Sequence, residues 1–212
     1  MNTARTKAFG NPGNQGYTLL ELLAVMSIMA ILLAVMVPSI SGLNESTNIT
    51  RGGQVFADEI TLARQIASSR NITVEVRCIN IPTRSANGYT GLQLWSPGGA
   101  TSIPVSRLQT MPDGIAISQD KANVSSLFSS YQLTGTMPVG SPTAGDTYWS
   151  FTINPSGMVG PLPDSGVNSA PNMNTLTVGV LPARYAANPA LPANYVLIQI
   201  NPITAATLNY RP

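Results

Sequence analysis

The chain has 212 residues, enough for one domain of ordinary size plus an appendage. Only 9% of the residues are charged, and the net charge of +2 comes from Arg5 and Lys7, because the nine other basic side chains balance nine acidic ones. A neutral domain has no electrostatic footprint for nucleic acid, which excludes that partner. The absence of histidine and the single cysteine exclude histidine-dependent triads, most zinc sites and an internal disulfide.

The first element predicted along the chain is an apolar helix over residues 19–37, in which only Glu21 and Ser27 are polar. At about 1.5 Å per residue it would span roughly 28 Å, close to the ~30 Å hydrocarbon core of a bilayer. A cleaved secretory signal has a shorter apolar core, of about 7–15 residues, followed by a small-residue cleavage site. This run reaches Pro38 without such a site, so we predict a membrane anchor. The basic residues before it predict that residues 1–16 lie in the cytoplasm.

Glu21 is the residue of this segment that needs an explanation. A carboxylate near the end of a membrane helix costs about 1–3 kcal/mol on insertion scales. One interpretation is that Glu21 reaches the lipid headgroups and has no further role. The other is that it awaits a partner, and the residues around it favour this second interpretation.

The hexapeptide from Gly16 to Glu21, GYTLLE, resembles the prepilin signal of type IV pilins and type II secretion pseudopilins. The resemblance implies that a membrane peptidase cuts between Gly16 and Tyr17 and methylates the new amino terminus at Tyr17. That family most often has phenylalanine after the cut, so Tyr17 is a departure that keeps the aromatic ring. For Glu21 the resemblance implies filament assembly: its carboxylate pairs with the terminal amine of a neighbouring subunit and sets the axial register. Such a pair is tolerable in lipid because each charge offsets the other.

After the apolar run, Pro38 predicts a kink or local melting of the helix, because proline cannot donate the intrahelical hydrogen bond. Residues 39–54 contain three glycines and are predicted to be a weakly helical linker. A helical period then returns up to residue 71, with Glu59 inside the apolar arc, where it should lie at the rim or find a partner. The predicted buried face comprises Phe56, Ile60, Ala63 and Ala67, widened by Val55, Leu62 and Ile66.

Beyond Asn71 the period changes to two, which predicts a half-buried strand over residues 72–78, with Glu75 and Arg77 on its polar side. Cys78 falls on the apolar side and is expected to be a buried, inert thiol. Later strands are predicted at 89–95, 102–109, 114–118, 127–134, 147–154, 175–181, 194–201 and 204–210. Turns are predicted at Asn87-Gly88, Pro112-Asp113-Gly114 and Pro155-Ser156-Gly157, and core positions at Trp149, Phe151 and Ile153. The loops 138–146, 160–174 and 182–194 are the surfaces expected to meet a partner.

The helix 56–71, the strand that follows it and the later stretch FTINPSGMVG resemble minor pseudopilins of the GspH/FimT type. The resemblance implies an α+β fold in which a long amino-terminal helix, membrane-spanning in its first half, packs on a mostly antiparallel β-sheet domain. The predicted organisation is a leader at 1–16, a transmembrane or filament-core helix at 17–38, a linker and amphipathic helix at 39–71, and a β-rich domain at 72–212.

These observations predict a structural subunit, a minor one, of a type II secretion pseudopilus or type IV pilus-like filament. Its expected location is the bacterial inner membrane, with the carboxy-terminal domain in the periplasm, and then the filament. Expected partners are other pilin-like subunits, the prepilin peptidase, an inner-membrane assembly platform and membrane lipid. We expect no enzyme activity, no cofactor and no metal. The alternative is a single-pass, membrane-anchored β-domain that binds carbohydrate or protein and does not polymerise; an unprocessed amino terminus would favour it.

Overall fold

The structure is a computed structural model that describes residues 16–97, 102–119, 124–131, 133–161, 175–186, 188 and 190–211. The chain divides into two compact units after Gly42. The elements are α1 (Leu19–Arg70), β1 (Val74–Ile79), β2 (Gly91–Ser96), β3 (Ile103–Pro104), β4 (Gln109–Thr110), β5 (Ile115–Ile117), α2 (Ser126–Ser130), β6 (Leu133–Thr136), β7 (Thr147–Ile153), β8 (Val159–Gly160), β9 (Leu176–Pro182), β10 (Val196–Ile200) and β11 (Thr207–Tyr210), with a 3-10 turn at Ala183–Tyr185.

The strands form two sheets. The first has the order β3-β2-β1-β7-β6, with β4 on β2 and β8 on β7, and the second has the order β11-β10-β9-β5. The strand pairs within both sheets are antiparallel. The predicted fold class, a long amino-terminal helix with a mostly antiparallel β-domain, is therefore confirmed.

One core joins the carboxy-terminal half of α1 to the inner faces of both sheets. The predicted buried face of the helix is confirmed at Phe56, Ile60, Ala63 and Ala67, none of which is exposed. Leu62 was expected to widen this face, but it is exposed, while Val55 and Ile66 are partly buried against the core. The predicted core positions of β7 are confirmed at Trp149, Phe151 and Ile153.

The linker predicted at residues 39–54 is instead part of α1, whose backbone is helical without interruption from Leu19 to Arg70. The backbone is helical through Pro38 as well, without local melting; the kink expected there remains a prediction. Close packing explains two of the three glycines that pointed to a linker. A Cβ at Gly52 would lie 3.0 Å from Ile115 Cγ2, and one at Gly53 would lie 2.9 Å from a Val196 methyl group. These glycines let the helix approach the second sheet, and this packing outweighs their low helix propensity.

The strand predicted at 127–134 is wrong in its first half, because α2 occupies Ser126–Ser130 before β6 begins at Leu133. Two serine hydroxyls explain this. Ser126 Oγ accepts a hydrogen bond from the Thr177 backbone N–H at 2.9 Å, and Ser125 Oγ accepts one from the Gly179 N–H at 3.2 Å. Side chains thereby satisfy β9 donors that a strand would otherwise pair. The strand predicted at 102–109 is likewise reduced to the two-residue strands β3 and β4.

Strand β1 departs most from expectation, because all six of its residues are buried. Cys78 is buried as predicted, and burial raises the pKa of its thiol. Glu75 and Arg77, expected on a solvated face, are only 1% and 5% exposed. Both faces of the central strand are therefore covered.

Candidate functional site

The proposed cleavage position lies outside the helix. Gly16 and Tyr17 precede α1, which begins at Leu19, and the Tyr17 side chain is 79% exposed. A Cβ built on Gly16 would meet no atom within 4 Å. The described part of the motif therefore presents the Gly16–Tyr17 peptide bond in open, non-helical chain. Most of the predicted leader, residues 1–15, lies outside the described residues.

Thr18 caps the amino terminus of α1. Its Oγ1 accepts a hydrogen bond from the Glu21 backbone N–H at 3.2 Å, and its carbonyl oxygen accepts from the N–H groups of Glu21 and Leu22 at 3.1 and 3.2 Å. The stretch from Thr18 to Glu21 has the T-x-x-E spacing of a capping box, a signal that the sequence analysis missed. The cap determines that the helix begins just after the proposed cut.

Glu21 lies in the first turn of α1, and its side chain is exposed. The amino-terminal end of a helix carries partial positive charge, so a carboxylate at this position is favourable in the isolated subunit. The structure places Glu21 one helical turn from Tyr17. It leaves the pairing of Glu21 with an amine of another subunit as a prediction.

The helix surface that follows the motif is apolar on every side. All described side chains from residue 19 to 34 are exposed, including Leu23, Ile28 and Leu33 at 66%, 58% and 61%. The Ser27 hydroxyl donates to the Leu23 carbonyl at 2.8 Å, so the polar group is satisfied within the helix. A contiguous exposed apolar surface of this kind is typical of a membrane or protein contact.

Among the residues that the structure describes, no helix meets the length and hydropathy of a membrane span. The transmembrane anchor remains a prediction from the sequence.

A polar cluster that was not predicted lies on the outer face of the first sheet. Arg77 Nη2 donates to Glu75 Oε2 at 2.8 Å, and the Arg77 guanidinium lies 4.2 Å from the centre of the Trp95 ring and 4.3 Å from that of Tyr148. Burial raises the pKa of Tyr148, an effect that Arg77 partly offsets. The residues of this cluster lie on three strands, β1, β2 and β7, so the alternation within β1 could not predict it.

Glu59 finds the partner that its position in the apolar arc required. The Ser106 hydroxyl donates to Glu59 Oε1 at 2.8 Å, and the residue is 4% exposed. Burial raises the pKa of the Glu59 carboxyl, and the hydrogen bond from Ser106 lowers it by less. This is a buried structural contact between α1 and the chain that follows β3.

Elsewhere, the described residues contain no group of three or more histidine, cysteine, aspartate or glutamate side chains arranged to bind a metal ion. Of the three loops expected to meet partners, 138–146 is described completely and 182–194 for the most part. In the third loop, residues 162–174 lie outside the described residues.

Comparisons with known proteins agree with the amino-terminal motif. Residues 11–37 match the family described as the prokaryotic N-terminal methylation motif. The predicted resemblance to type IV pilins and pseudopilins is thereby confirmed at this end of the chain. The chain therefore carries this motif ahead of an α+β domain and resembles pilin-like proteins at its amino-terminal end.

Two solved structures resemble the chain at 10% sequence identity. One is the minor pseudopilin EpsH from the type 2 secretion system of Vibrio cholerae, with a TM-score of 0.40, covering 78% of this chain and 96% of that one. The other is the type IV minor pilin FimU of Pseudomonas aeruginosa strain PAO1, with a TM-score of 0.44, covering 80% of this chain and 92% of that one. No curated protein sequence matches the chain.

Proposed function

We propose that this pilin-like protein is a minor structural subunit of a type II secretion pseudopilus or type IV pilus-like filament. The subunit is held in the bacterial inner membrane by its amino-terminal helix, with its β-domain in the periplasm. After processing it leaves the membrane and joins the filament through the same helix. It has no catalytic role and is itself the substrate of the prepilin peptidase.

The observation that carries this proposal is the exposed, all-round apolar surface that begins three residues after Gly16. A folded domain in water does not leave such a surface uncovered. Lipid before assembly and neighbouring helices after it are two apolar environments that can cover the same residues. The methylation motif at residues 11–37 supports the first step of this sequence, removal of the leader.

Mass spectrometry of the protein from its native membrane tests the processing step. We expect an amino terminus at Tyr17 carrying a methyl group. A chain that still begins at Met1 in the active protein would contradict the proposal, and so would a cut beyond Val37. Either result would favour the alternative, a membrane-anchored binding module that does not polymerise.

Replacing Glu21 with Ala tests the assembly step. We expect the variant to insert into the membrane as the wild type does and to be absent from sheared filaments, because the amine of the neighbouring subunit loses its counterion. Ser27→Ala is the matched control, since Ser27 is the other polar residue of the apolar run and its hydroxyl is satisfied within its own helix. Normal incorporation of Glu21→Ala would count decisively against a register role for this carboxylate.

A further inference from the structure

The outer face of the first sheet carries a cavity of about 530 Å³ beside the Arg77 cluster. Its floor includes Arg77, Gln93 and Trp95, and its wall includes Tyr148 and the proline-rich turn at residues 138–142. Small-molecule sites commonly have about 300–1,000 Å³ and combine aromatic walls with a few convergent polar groups. This cavity has both features, and the pilin-like function assigns it no role.

The aromatic walls are held in place by the residues around them. The Arg77 guanidinium contacts both the Trp95 and Tyr148 rings, and the Trp95 indole N–H donates to Gln93 Oε1 at 3.2 Å. Gly135 on β6 makes room for the Tyr148 ring, because a Cβ there would lie 2.7 Å from its Cζ and hydroxyl oxygen. A site whose rings are fixed in advance loses little conformational entropy when a ligand binds.

The charges around the cavity favour a neutral ligand. The positive charge of Arg77 is already paired with Glu75, whose side chain is only 1% exposed. An anionic ligand would bring a second negative charge close to the buried carboxylate, and a cationic ligand would lie against the guanidinium. A neutral ligand avoids both costs.

The same cluster has hydrogen-bonding capacity of both kinds left over. Among the described residues, Arg77 Nε has no acceptor, and the buried Ser141 hydroxyl of the turn has no partner. Ser102 and Thr136, which also line the cavity, carry hydroxyl groups that can both donate and accept. A hydroxyl group can donate and accept at once, whereas a carboxylate only accepts and an ammonium only donates. Hydroxyl-bearing ligands therefore suit this lining best.

The strand pairing argues against a peptide added to the sheet along β2. Strand β2, which supplies Gln93 and Trp95, is already paired along its outer edge with β3 and β4. A peptide that extends a sheet needs a free strand edge. The cavity is a pocket for a compact molecule, with aromatic rings to contact apolar C–H faces and polar groups to contact hydroxyls.

We propose that this cavity binds one or two units of a neutral saccharide. The site is independent of amino-terminal processing, so it could serve a subunit exposed on a filament surface. Its failure in a binding test would leave the proposed assembly function untouched.

The chain contains two tryptophans, and their positions allow a selective fluorescence test. Trp95 lines the cavity, while Trp149 lies in the inner core and its indole N–H has no partner among the described residues. Trp149→Phe therefore removes no hydrogen bond of the described residues and leaves Trp95 as the reporter. Full-length protein should be held in lauryldimethylamine oxide micelles, because detergents with sugar headgroups would compete for the site.

The titrants are glucose, galactose, N-acetylglucosamine, cellobiose, lactose and chitobiose, with acetate and trialanine as non-sugar probes. We expect a saturable change of Trp95 emission in the Trp149→Phe protein with at least one sugar. Adding Tyr148→Phe, which removes only a hydroxyl, should weaken that binding about tenfold, the effect of about one lost hydrogen bond. Tyr210→Phe, on an exposed tyrosine outside the cavity, should leave it unchanged. No saturation with any of the six sugars, equal weakening in both tyrosine variants, or saturation by acetate or trialanine alone would overturn the proposal.

Discussion

The two halves of helix α1 have the same backbone conformation and opposite surfaces. In the first, every described side chain from residue 19 to 34 is exposed although nearly all are apolar. In the second, residues such as Phe56 and Ile60 are fully buried, while Asp58 and Arg64 face solvent. The comparison shows that helical structure alone does not define a role. The second half obtains its apolar partner from its own chain, whereas the described side chains of the first half have none there; the proposed function assigns that role to lipid or other subunits.

The largest difference between the two halves is expected in the free energy of unfolding, when one large apolar residue of each half is replaced by alanine. Phe56→Ala should lower the free energy of unfolding of the β-domain by about 3–5 kcal/mol, because it opens a cavity in the main core. Leu33→Ala, on an exposed residue of the first half, should leave that free energy unchanged. Denaturant unfolding followed by tryptophan fluorescence measures both. Equal losses in the two variants would contradict the division of the helix into a packed half and an unpartnered half.

A smaller effect is expected at the glycines of the second half. In an exposed helix, Gly→Ala stabilises by about 0.5–1 kcal/mol. Gly53→Ala should instead destabilise by about 1–3 kcal/mol, because the new methyl group would lie 2.9 Å from a Val196 methyl group. In the Val196→Ala protein, which lacks that methyl group, Gly53→Ala should lower the free energy of unfolding by less than it does in the wild type. A double-mutant cycle measures this difference. A stabilised Gly53→Ala protein would mean that the helix does not approach the sheet this closely.

The smallest effect concerns the two glutamates, one in each half. Burial raises the pKa of Glu59 above its ordinary value of 4.5, so the folded protein binds this proton more tightly than the unfolded chain does. Its contribution to stability is therefore fully present below pH 4.5 and is lost as the pH rises through the folded-state pKa. Glu59→Gln should remove this loss and raise the free energy of unfolding at pH 7 by about 1 kcal/mol, since Gln can still accept from Ser106.

The matched control for this pH effect is Glu21→Gln, whose side chain is exposed in the first half of the helix. It should not alter the pH dependence of unfolding of the β-domain. Thermal unfolding between pH 4 and pH 7, from about half a unit below to about 2.5 units above the ordinary glutamate value of 4.5, would distinguish the two variants. If Glu59→Gln followed the same pH profile as the wild type, Glu59 would not be the group responsible.

Several features of the fold followed directly from local patterns. The spacing of Phe56, Ile60, Ala63 and Ala67 predicted a buried helix face, and alternation at Trp149, Phe151 and Ile153 predicted core positions in β7. Periodicity is a good guide here because the apolar side chains of each segment recur on one face, every turn of the helix or every second residue of the strand. The motif from Gly16 to Glu21 could also be recognised from the sequence, because its residues are contiguous.

The features that the sequence did not reveal all depend on contacts between distant segments. Gly52 and Gly53 indicate a linker until the second sheet is seen to lie against them. Residues 127–134 indicate a strand until the hydroxyls of Ser125 and Ser126, just before that range, are seen to bond β9. Glu75 and Arg77 lie in a regular alternating strand, yet both are buried, and aromatic side chains of β2 and β7 cover Arg77.

By itself, the sequence determined that this protein carries a prepilin-type amino terminus, an apolar helix and a β-rich domain with a helical support. Each of these follows from neighbouring residues or from a short repeat, and needs no knowledge of what lies across the fold. Only the tertiary structure decided that the helix is continuous through its glycines and that a buried ion pair, whose guanidinium contacts two aromatic rings, borders a cavity. Those outcomes depend on which side chains come into contact after the strands have paired. Such contacts join distant segments, so the sequence of one segment does not determine them.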